Sequence, residues 1–386
     1  MPIVTVYFAS KVRGFFKHLF SNQRINAQFI YSNKQVFETN STIKKLLGKL
    51  IRTRLFDILG IIQIIPCKNK RCAVYGSYNR FLKSDRSYFI YIETPVALFN
   101  YSLYRHKTFL GRKKLKYLDD NKLKAMIFMS NASADTFETI YTKIPPRIIK
   151  ETIYPYVPKN NLVSLETIKV RSQNRCLKLL YIAQGLGFIS KGGLEIIEAF
   201  KKIRNEGYDQ IVLTMITTIN EVNVSLIEEI KKTEGITLCD FTFSYEALTG
   251  MYADANILLQ PTSQDSFGLT ILEAVKAGLP VIASTLYSIP ELIKDKENGF
   301  LTEPHYQYYD SENIPNPKLW NKKIIYSNQI CDRIVSFLHD SILLLHKDRE
   351  LLEKMSIRSF EIANSPPFDE DTITNQWNNI LNRINR

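Results

Sequence analysis

The feature that most constrains this chain is an alternation of two hydrophobic periods that runs, stops and starts again. "IVTVYFAS", "CAVYG", "SYFIYIE" and "KAMIFMS" are apolar runs of strand length, and stretches of helical spacing such as "STIKKLLGKLIRTRLF" separate them. Strand and helix signals in alternation specify parallel strands joined by crossover helices. Around Tyr154 the alternation gives way to "YPYVPKNN" and a polar, charged run to Arg175, which reads as a linker. It resumes with "LKLLYIA", "QIVLTMIT", "GITLCDF", "ANILLQP" and "PVIAS". Two α/β halves in tandem are expected, with the ligand site at the carboxyl ends of the strands, in a cleft between the halves. A length of 386 residues accommodates both.

Composition narrows the class further. With 45% hydrophobic and 23% charged residues the chain reads as globular rather than disordered. No run approaches the roughly 20 apolar residues that span a bilayer, and the greasiest short segment, Phe56 to Pro66, falls well below that length. The N-terminus lacks the pattern of a cleaved signal, so a cytoplasmic location is expected. Cys67, Cys72, Cys176, Cys239 and Cys331 are odd in number and scattered, which argues against a disulfide framework. No His pair has metal spacing, and no metal is expected.

Charge is distributed unevenly. Residues 1 to 160 hold 28 Lys and Arg against 9 Asp and Glu, a net of +19, while the remainder holds 23 against 29, a net of −6. Within the basic half, "KVRGFFKHLF" (Lys11 to Phe20) mixes three cations with four large apolar residues. As a helix it predicts an interfacial segment on an anionic membrane surface. No nucleic-acid partner is expected.

The chemistry concentrates in "QDSFGLTILEAVKAGLPVIAS", Gln264 to Ser284. "NILLQPTSQ" reads as a strand entering a loop, and "SFGLTILEAVKAG" as a helix closing at Gly278 with Pro280 beyond it. The first turn offers backbone N–H groups at Phe267, Gly268 and Leu269, which suit a phosphate or diphosphate. Thr270 and Glu273 are three apart on one helix face, so a hydroxyl and a carboxylate look toward the same ligand. A carboxylate there can accept from both hydroxyls of a ribose, and Asp265, just ahead of the helix, can bind hydroxyls at the ligand's far end. Acid, phosphate cradle and acid in this order describe a nucleotide sugar. For Asp265 taken alone, a helix cap is the simpler explanation.

The run from Glu246 to Pro304 resembles the C-terminal domain of retaining glycosyltransferases of the GT-B fold, the family 4 (group 1) type. Two acids separated by seven residues, Phe-Gly-Leu just after the first, a Gly-Pro-Val strand and an Asn-Gly turn carry the likeness; here the strand begins Gly278-Leu279-Pro280-Val281. The resemblance implies two Rossmann-like domains facing a central cleft. Residues 1–160, joined by the C-terminal helix (about 361–386), would form the acceptor domain, and residues 161–360 the nucleotide-sugar domain. It implies ribose binding by Glu273 and hexose contact by Asp265. Phe267, Gly268, Leu269 and Thr270 would meet the diphosphate and sugar, and Lys191 in "YIAQGLGFISKGGLEIIEAF" would neutralise the leaving diphosphate. From the N-terminal half, Glu93 at the end of "SYFIYIE" is a further catalytic candidate. A strand-end turn cap is the alternative reading for it.

The resemblance also implies the reaction: hexosyl transfer from a UDP or GDP sugar, with no other cofactor, to a saccharide or lipid-linked acceptor in cell-surface polysaccharide or glycolipid assembly. Three positions depart from the family pattern. Asp265 stands where Glu is usual, the Arg ahead of the lysine is missing from "AQGLGFIS", and "KVRGFF" replaces a glycine-rich loop. A noncatalytic nucleotide-sugar-binding relative is the alternative function. Two weaker motifs carry less: "GLG" at Gly185 to Gly187 lacks the third glycine of a dinucleotide fingerprint, and "DED" at Asp369 to Asp371 reads as a solvated cap before the last helix.

Overall fold

The computed structural model describes residues 3–31, 50–51, 53–68, 70–141, 144–320 and 323–385. The chain divides into two compact units. One comprises Met1–Pro158, Ser311–Ile314 and Pro367–Arg386, the other Lys159–Asp310 and Pro315–Pro366. Among the described residues no helix is long and apolar enough to cross a membrane.

The first unit contains β1 (Val4–Phe8), β2 (Ala27–Tyr31), β3 (Ile64–Cys67), β4 (Val74–Tyr78), β5 (Phe81–Ser84), β6 (Tyr88–Ile92), β7 (Leu123–Phe128) and β8 (Ile149–Thr152). Six of them form one parallel sheet in the order β2-β1-β4-β6-β7-β8, and β3 pairs with β5 separately. β4 and β6 are buried at every position, as central strands of a parallel sheet covered on both faces must be. That is why they are legible as continuous apolar runs. β2 and β8 lie at the two edges, keep exposed positions, and give no such run. The helical reading of "STIKKLLGKLIRTRLF" falls largely on residues 41–49 and 52, outside the described residues; its far end enters a short helix, Arg54–Ile58.

The segment Lys11 to Phe20 requires a correction. It does form a helix, Gly14–Phe20, but Phe15, Phe16 and Leu19 are buried in the unit's core. The Phe16 ring lies 4.9 Å from Phe8, 5.2 Å from Tyr91 and 5.7 Å from Tyr78. The apolar face expected to rest on a membrane is consumed by packing against the sheet, because a seven-residue helix has one apolar stripe and the strands cover it. The final helix, Glu370–Asn385, also packs in this unit, with Trp377 stacked 6.0 Å from Tyr91 and set edge-on 5.6 Å from Phe89.

The second unit contains β9 (Leu177–Ile182), β10 (Ile211–Thr217), β11 (Ile236–Asp240), β12 (Ile257–Gln260), β13 (Val281–Ser284) and β14 (Gly299–Thr302). All are parallel, in the order β11-β10-β9-β12-β13-β14. The strand order reverses between β9 and β12, the place in an open α/β sheet where ligands bind beyond the carboxyl ends of the strands. Alternate residues of β9 (Leu177, Leu179, Tyr181) belong to one apolar core with Ile196, Phe200 and Ile203 of the helix Gly193–Asn205. The charged run read as linker contains a helix, Leu165–Gln173, with a capping box between Ser164 and Thr167. It has almost no apolar stripe, Ile168 being its one large buried apolar residue. It is fastened instead by Arg171, whose guanidinium donates to the carbonyls of Ala253 at 2.9 Å and Gly278 at 2.8 Å.

Candidate functional site

Lys191 and Asp265 lie on the loops that follow β9 and β12, the two strands flanking the reversal. After β9 the chain makes a short turn, Gly185–Gly187, and enters the helix Gly193–Asn205 through Gly192 at φ 84°. A Cβ on Gly192 would come within 2.5 Å of Pro261, so glycine is what allows the two loops to touch. The contact is reinforced by the Ser263 N–H, which donates to the Ser190 carbonyl at 2.8 Å.

Asp265 occupies the mouth of the helix Leu269–Lys276. Its Oδ1 accepts from the backbone N–H of Phe267 at 3.1 Å and of Gly268 at 2.9 Å, and its Oδ2 accepts from Lys191 Nζ at 2.8 Å. Gly268 holds φ 85° at the helix start, a conformation suited to glycine. The pair is largely shielded, with 23% of the Lys191 side chain and 14% of Asp265 exposed. Burial pushes the Asp265 carboxyl up, but the Lys191 charge and hydrogen bond and the two backbone donors hold it below its ordinary value. The helix cap suggested by sequence is not formed, because the helix starts at Gly268 without a side-chain cap: the Asp265 carboxylate instead closes the turn just ahead of it through the Phe267 and Gly268 amides and pairs with Lys191.

Glu273 lies one turn into the same helix. Its Oε2 accepts from the hydroxyl of buried Tyr252 at 2.8 Å. Burial pushes its carboxyl up to about 7, with the Tyr252 hydrogen bond opposing. Thr270 carries a buried hydroxyl with no hydrogen-bond partner among the described residues. Phe267 is 1% exposed, so its ring serves the core and only its backbone faces the mouth of the helix. Leu269 is the first helical residue and is half-buried. At the carboxyl edge of the sheet, Thr217, Gln260 and Ser284, ending β10, β12 and β13, also bury side-chain polar atoms without partners among the described residues. Orphaned polar atoms of this kind call for a ligand or ordered water. Among the described residues no group of three or more His, Cys, Asp or Glu could hold a metal ion.

Glu93 belongs to the first unit, at the end of β6, in a cluster of its own. Its carboxylate is paired with Arg13 and accepts from the Tyr78 hydroxyl, while Arg13 Nη1 donates to the same hydroxyl at 3.2 Å. The Glu93 N–H donates to Asn79 Oδ1 at 2.9 Å. Burial alone would lower the Arg13 guanidinium, yet the Glu93 charge beside it carries the net shift well above its ordinary value. Three non-glycine residues, Asn79, Asn100 and Tyr101, hold positive φ within this stretch of the unit. Sequence reasoning missed Arg13 and Tyr78. Arg13 is visible in "KVRGFF" only as one more cation, and Tyr78 shows no signal apart from its place at the end of a strand. Tyr252 was missed likewise, since "GMYADA" reads as ordinary helix.

Two parallel α/β units, the second with a lysine and two carboxylates at its strand reversal, define a protein of the GT-B fold. Residues 178–311, which hold Lys191, Asp265 and Glu273, match the family model described as glycosyl transferases group 1. A D-inositol 3-phosphate glycosyltransferase of Streptomyces scabiei is 37% identical over 60 residues, 16% of this chain and 14% of that protein. The matches to the first curated relatives span only 13–14% of their own length. Among solved structures, Anabaena Alr3699/HepE in complex with UDP-glucose aligns with a TM-score of 0.61 at 15% identity, covering 98% of this chain and 99% of that one. WaaG, a glycosyltransferase involved in lipopolysaccharide biosynthesis, aligns with a TM-score of 0.58 at 14% identity and the same coverage.

Proposed function

We propose that this protein transfers a hexosyl unit from a UDP or GDP sugar to a saccharide or lipid-linked acceptor, with retention at the anomeric carbon. The observation that carries the reading is the meeting of Lys191, Asp265 and the Phe267–Gly268 amides at the strand reversal of one unit, with Glu273 one turn into the helix that follows. Glu273 would accept from the ribose hydroxyls, and Asp265 would contact the hexose. Lys191 and the amides at the start of the helix would take the diphosphate, with Leu269 and Thr270 beside it. Thr270 would supply its unpartnered hydroxyl. The solved UDP-glucose complex of a protein of the same fold supports a nucleotide-sugar donor.

In the step itself, the bond from the anomeric carbon to the diphosphate oxygen breaks and a bond to the acceptor oxygen forms on the same face. The acceptor proton passes to the departing diphosphate. Negative charge grows on that diphosphate as the bond breaks, and a fixed cation with preoriented amides stabilises it most at that moment. The net charge of +19 over residues 1 to 160 suits an anionic acceptor or a lipid-linked one at an anionic membrane surface, through charge alone. WaaG, which shares the fold and is involved in lipopolysaccharide biosynthesis, supports a role in cell-surface polysaccharide or glycolipid assembly.

The test is a screen of UDP- and GDP-hexoses against saccharide and lipid-linked acceptors, reading nucleoside diphosphate release and the anomeric configuration of the product by NMR. Retention of the donor's configuration is expected. An inverted product contradicts the mechanism, and binding of donors without transfer to any acceptor contradicts the enzymatic reading.

A further inference from the structure

The loop that presents Asp265 is gripped from a segment that leaves the sheet after β14. Gln264, its immediate neighbour, has its side-chain amide held at both ends: Nε2 donates to the Tyr308 hydroxyl at 2.9 Å, and Oε1 accepts from the Tyr326 hydroxyl at 2.8 Å. The backbone of the same residue is held as well, since Thr262 Oγ1 accepts from its N–H at 3.1 Å and donates to its carbonyl at 3.0 Å. One residue earlier, Ser263 Oγ accepts from the Tyr306 N–H at 3.1 Å.

The tyrosine segment is itself braced. Tyr309 stacks on Tyr287 with ring centroids 4.4 Å apart and planes 20° from parallel. Tyr287 holds φ 49°, a left-handed conformation that a bulky side chain keeps only where its surroundings over-determine it. Its neighbour Ser288 donates to the carbonyls of Ser266 at 3.2 Å and Phe267 at 3.1 Å. Both sides of the Asp265 loop are thus fixed. The family match ends at residue 311, so Tyr326 lies outside the part of the chain that the family model covers.

We infer that Gln264 is a positioning residue: through its grip by Tyr308 and Tyr326 it fixes where the Asp265 carboxylate stands, and so sets which hexose the donor site favours. Asp has one methylene fewer than Glu and only one sp³ torsion with which to follow a sugar hydroxyl, so placement of its backbone decides its reach. The specificity half of this inference rests on the function proposed above. The positioning half does not.

The experiment compares the wild type with Gln264→Leu and with Tyr308→Phe/Tyr326→Phe, which keeps both rings and removes both hydroxyls. Hydrogen exchange at the Phe267 and Gly268 amides, read without any donor, should quicken about ten-fold or more, with the β9 and β12 amides unchanged. With UDP-glucose and UDP-galactose, which differ at one hydroxyl, and with GDP-mannose and GDP-glucose, the ratio of kcat/KM values should move toward one, and kcat should fall about ten- to a hundred-fold. A role confined to stability would lower the melting temperature and leave the ratio in place. Where the double variant does not fold, Tyr326→Phe alone, at a residue 42% exposed, carries the same readouts. Unchanged exchange at Phe267 and Gly268 overturns the positioning, and an unchanged donor ratio overturns the specificity. Faster exchange in a protein whose wild type turns over no nucleotide sugar supports the positioning and overturns the specificity together with the proposed function.

Discussion

Lys191 Nζ meets Asp265 Oδ2 at 2.8 Å across the two loops that flank the strand reversal, while Asp265 Oδ1 accepts from the Phe267 and Gly268 amides of the turn that leads into the next helix. In the proposed reaction the cation and the amides that hold this carboxylate are the groups that meet the diphosphate, so donor binding exchanges one anion for another. Lys191→Met should therefore reduce kcat about a hundred-fold or more while changing donor affinity less, because the charge it opposes is largest in the transition state. Separate measurement of donor affinity and single-turnover rate checks this. Equal losses in both would assign Lys191 to ground-state binding.

Glu273 predicts a pH dependence with a definite sign. Its folded pKa of about 7 lies above the ordinary 4.5, so its contribution to stability is full below pH 4.5 and is lost as pH rises toward and through 7. Glu273→Gln removes the titration and keeps an acceptor for Tyr252. Above pH 7 the variant should be more stable than the wild type by on the order of 2 kcal/mol, and the gap should close below pH 4.5. Donor affinity of the wild type should strengthen from pH 6 to pH 8 as the carboxylate ionises. Melting curves and donor titrations across that range test both slopes.

The Arg13–Glu93–Tyr78 cluster makes a stability prediction distinct from catalysis. Arg13→Ala leaves a buried carboxylate without its cation and should cost about 3–5 kcal/mol, whereas removing both charges in Arg13→Met/Glu93→Gln should cost much less. Denaturant unfolding of the three proteins decides it. If the single and double variants are equally destabilised, the ion pair is not what Glu93 contributes.

Phe16 supplies a control for the membrane question. Fully buried among Phe8, Tyr78 and Tyr91, it should cost about 3–5 kcal/mol when changed to Ala, whatever lipid is present. Binding to anionic vesicles, if it rests on the charge of residues 1 to 160, should fall steeply between low and physiological salt and vanish on neutral vesicles. Binding that persists in high salt would contradict the electrostatic account.

What was legible in the sequence follows from burial. β4, β6, β7, β9, β10, β12 and β13 are interior strands covered on both faces, and each announces itself as an apolar run. β2, β8 and β14 are edge strands whose mixed sequences carry no such mark, while β11, also at an edge, is the exception and is legible in "GITLCDF". The helix Leu165–Gln173 stayed hidden because hydrogen bonds from Arg171, rather than an apolar face, secure it. In the candidate site, Asp265 and Glu273 are legible as a pair because their spacing is local to one turn and one helix, whereas Lys191, 74 residues away from Asp265 in the chain, is marked only by the family resemblance. The tyrosines around them are not legible: Tyr252, which donates to Glu273, and Tyr308 and Tyr326, which hold Gln264 beside Asp265, come from distant parts of the chain, and contacts at such separations leave no periodicity. The aromatics of Lys11 to Phe20 misled for the opposite reason, since an apolar stripe looks the same whether a sheet or a membrane covers it.

Whether this strand reversal binds a nucleotide sugar is read from isothermal titration of wild type and Glu273→Ala with UDP- and GDP-hexoses. The wild type should bind at least one donor saturably. The variant should bind that donor at least a hundred-fold more weakly, since each hydrogen bond from a ribose hydroxyl to the carboxylate is worth about 1.5–3 kcal/mol. Equal affinity in the two proteins, or no binding of any donor to the wild type, would contradict the account.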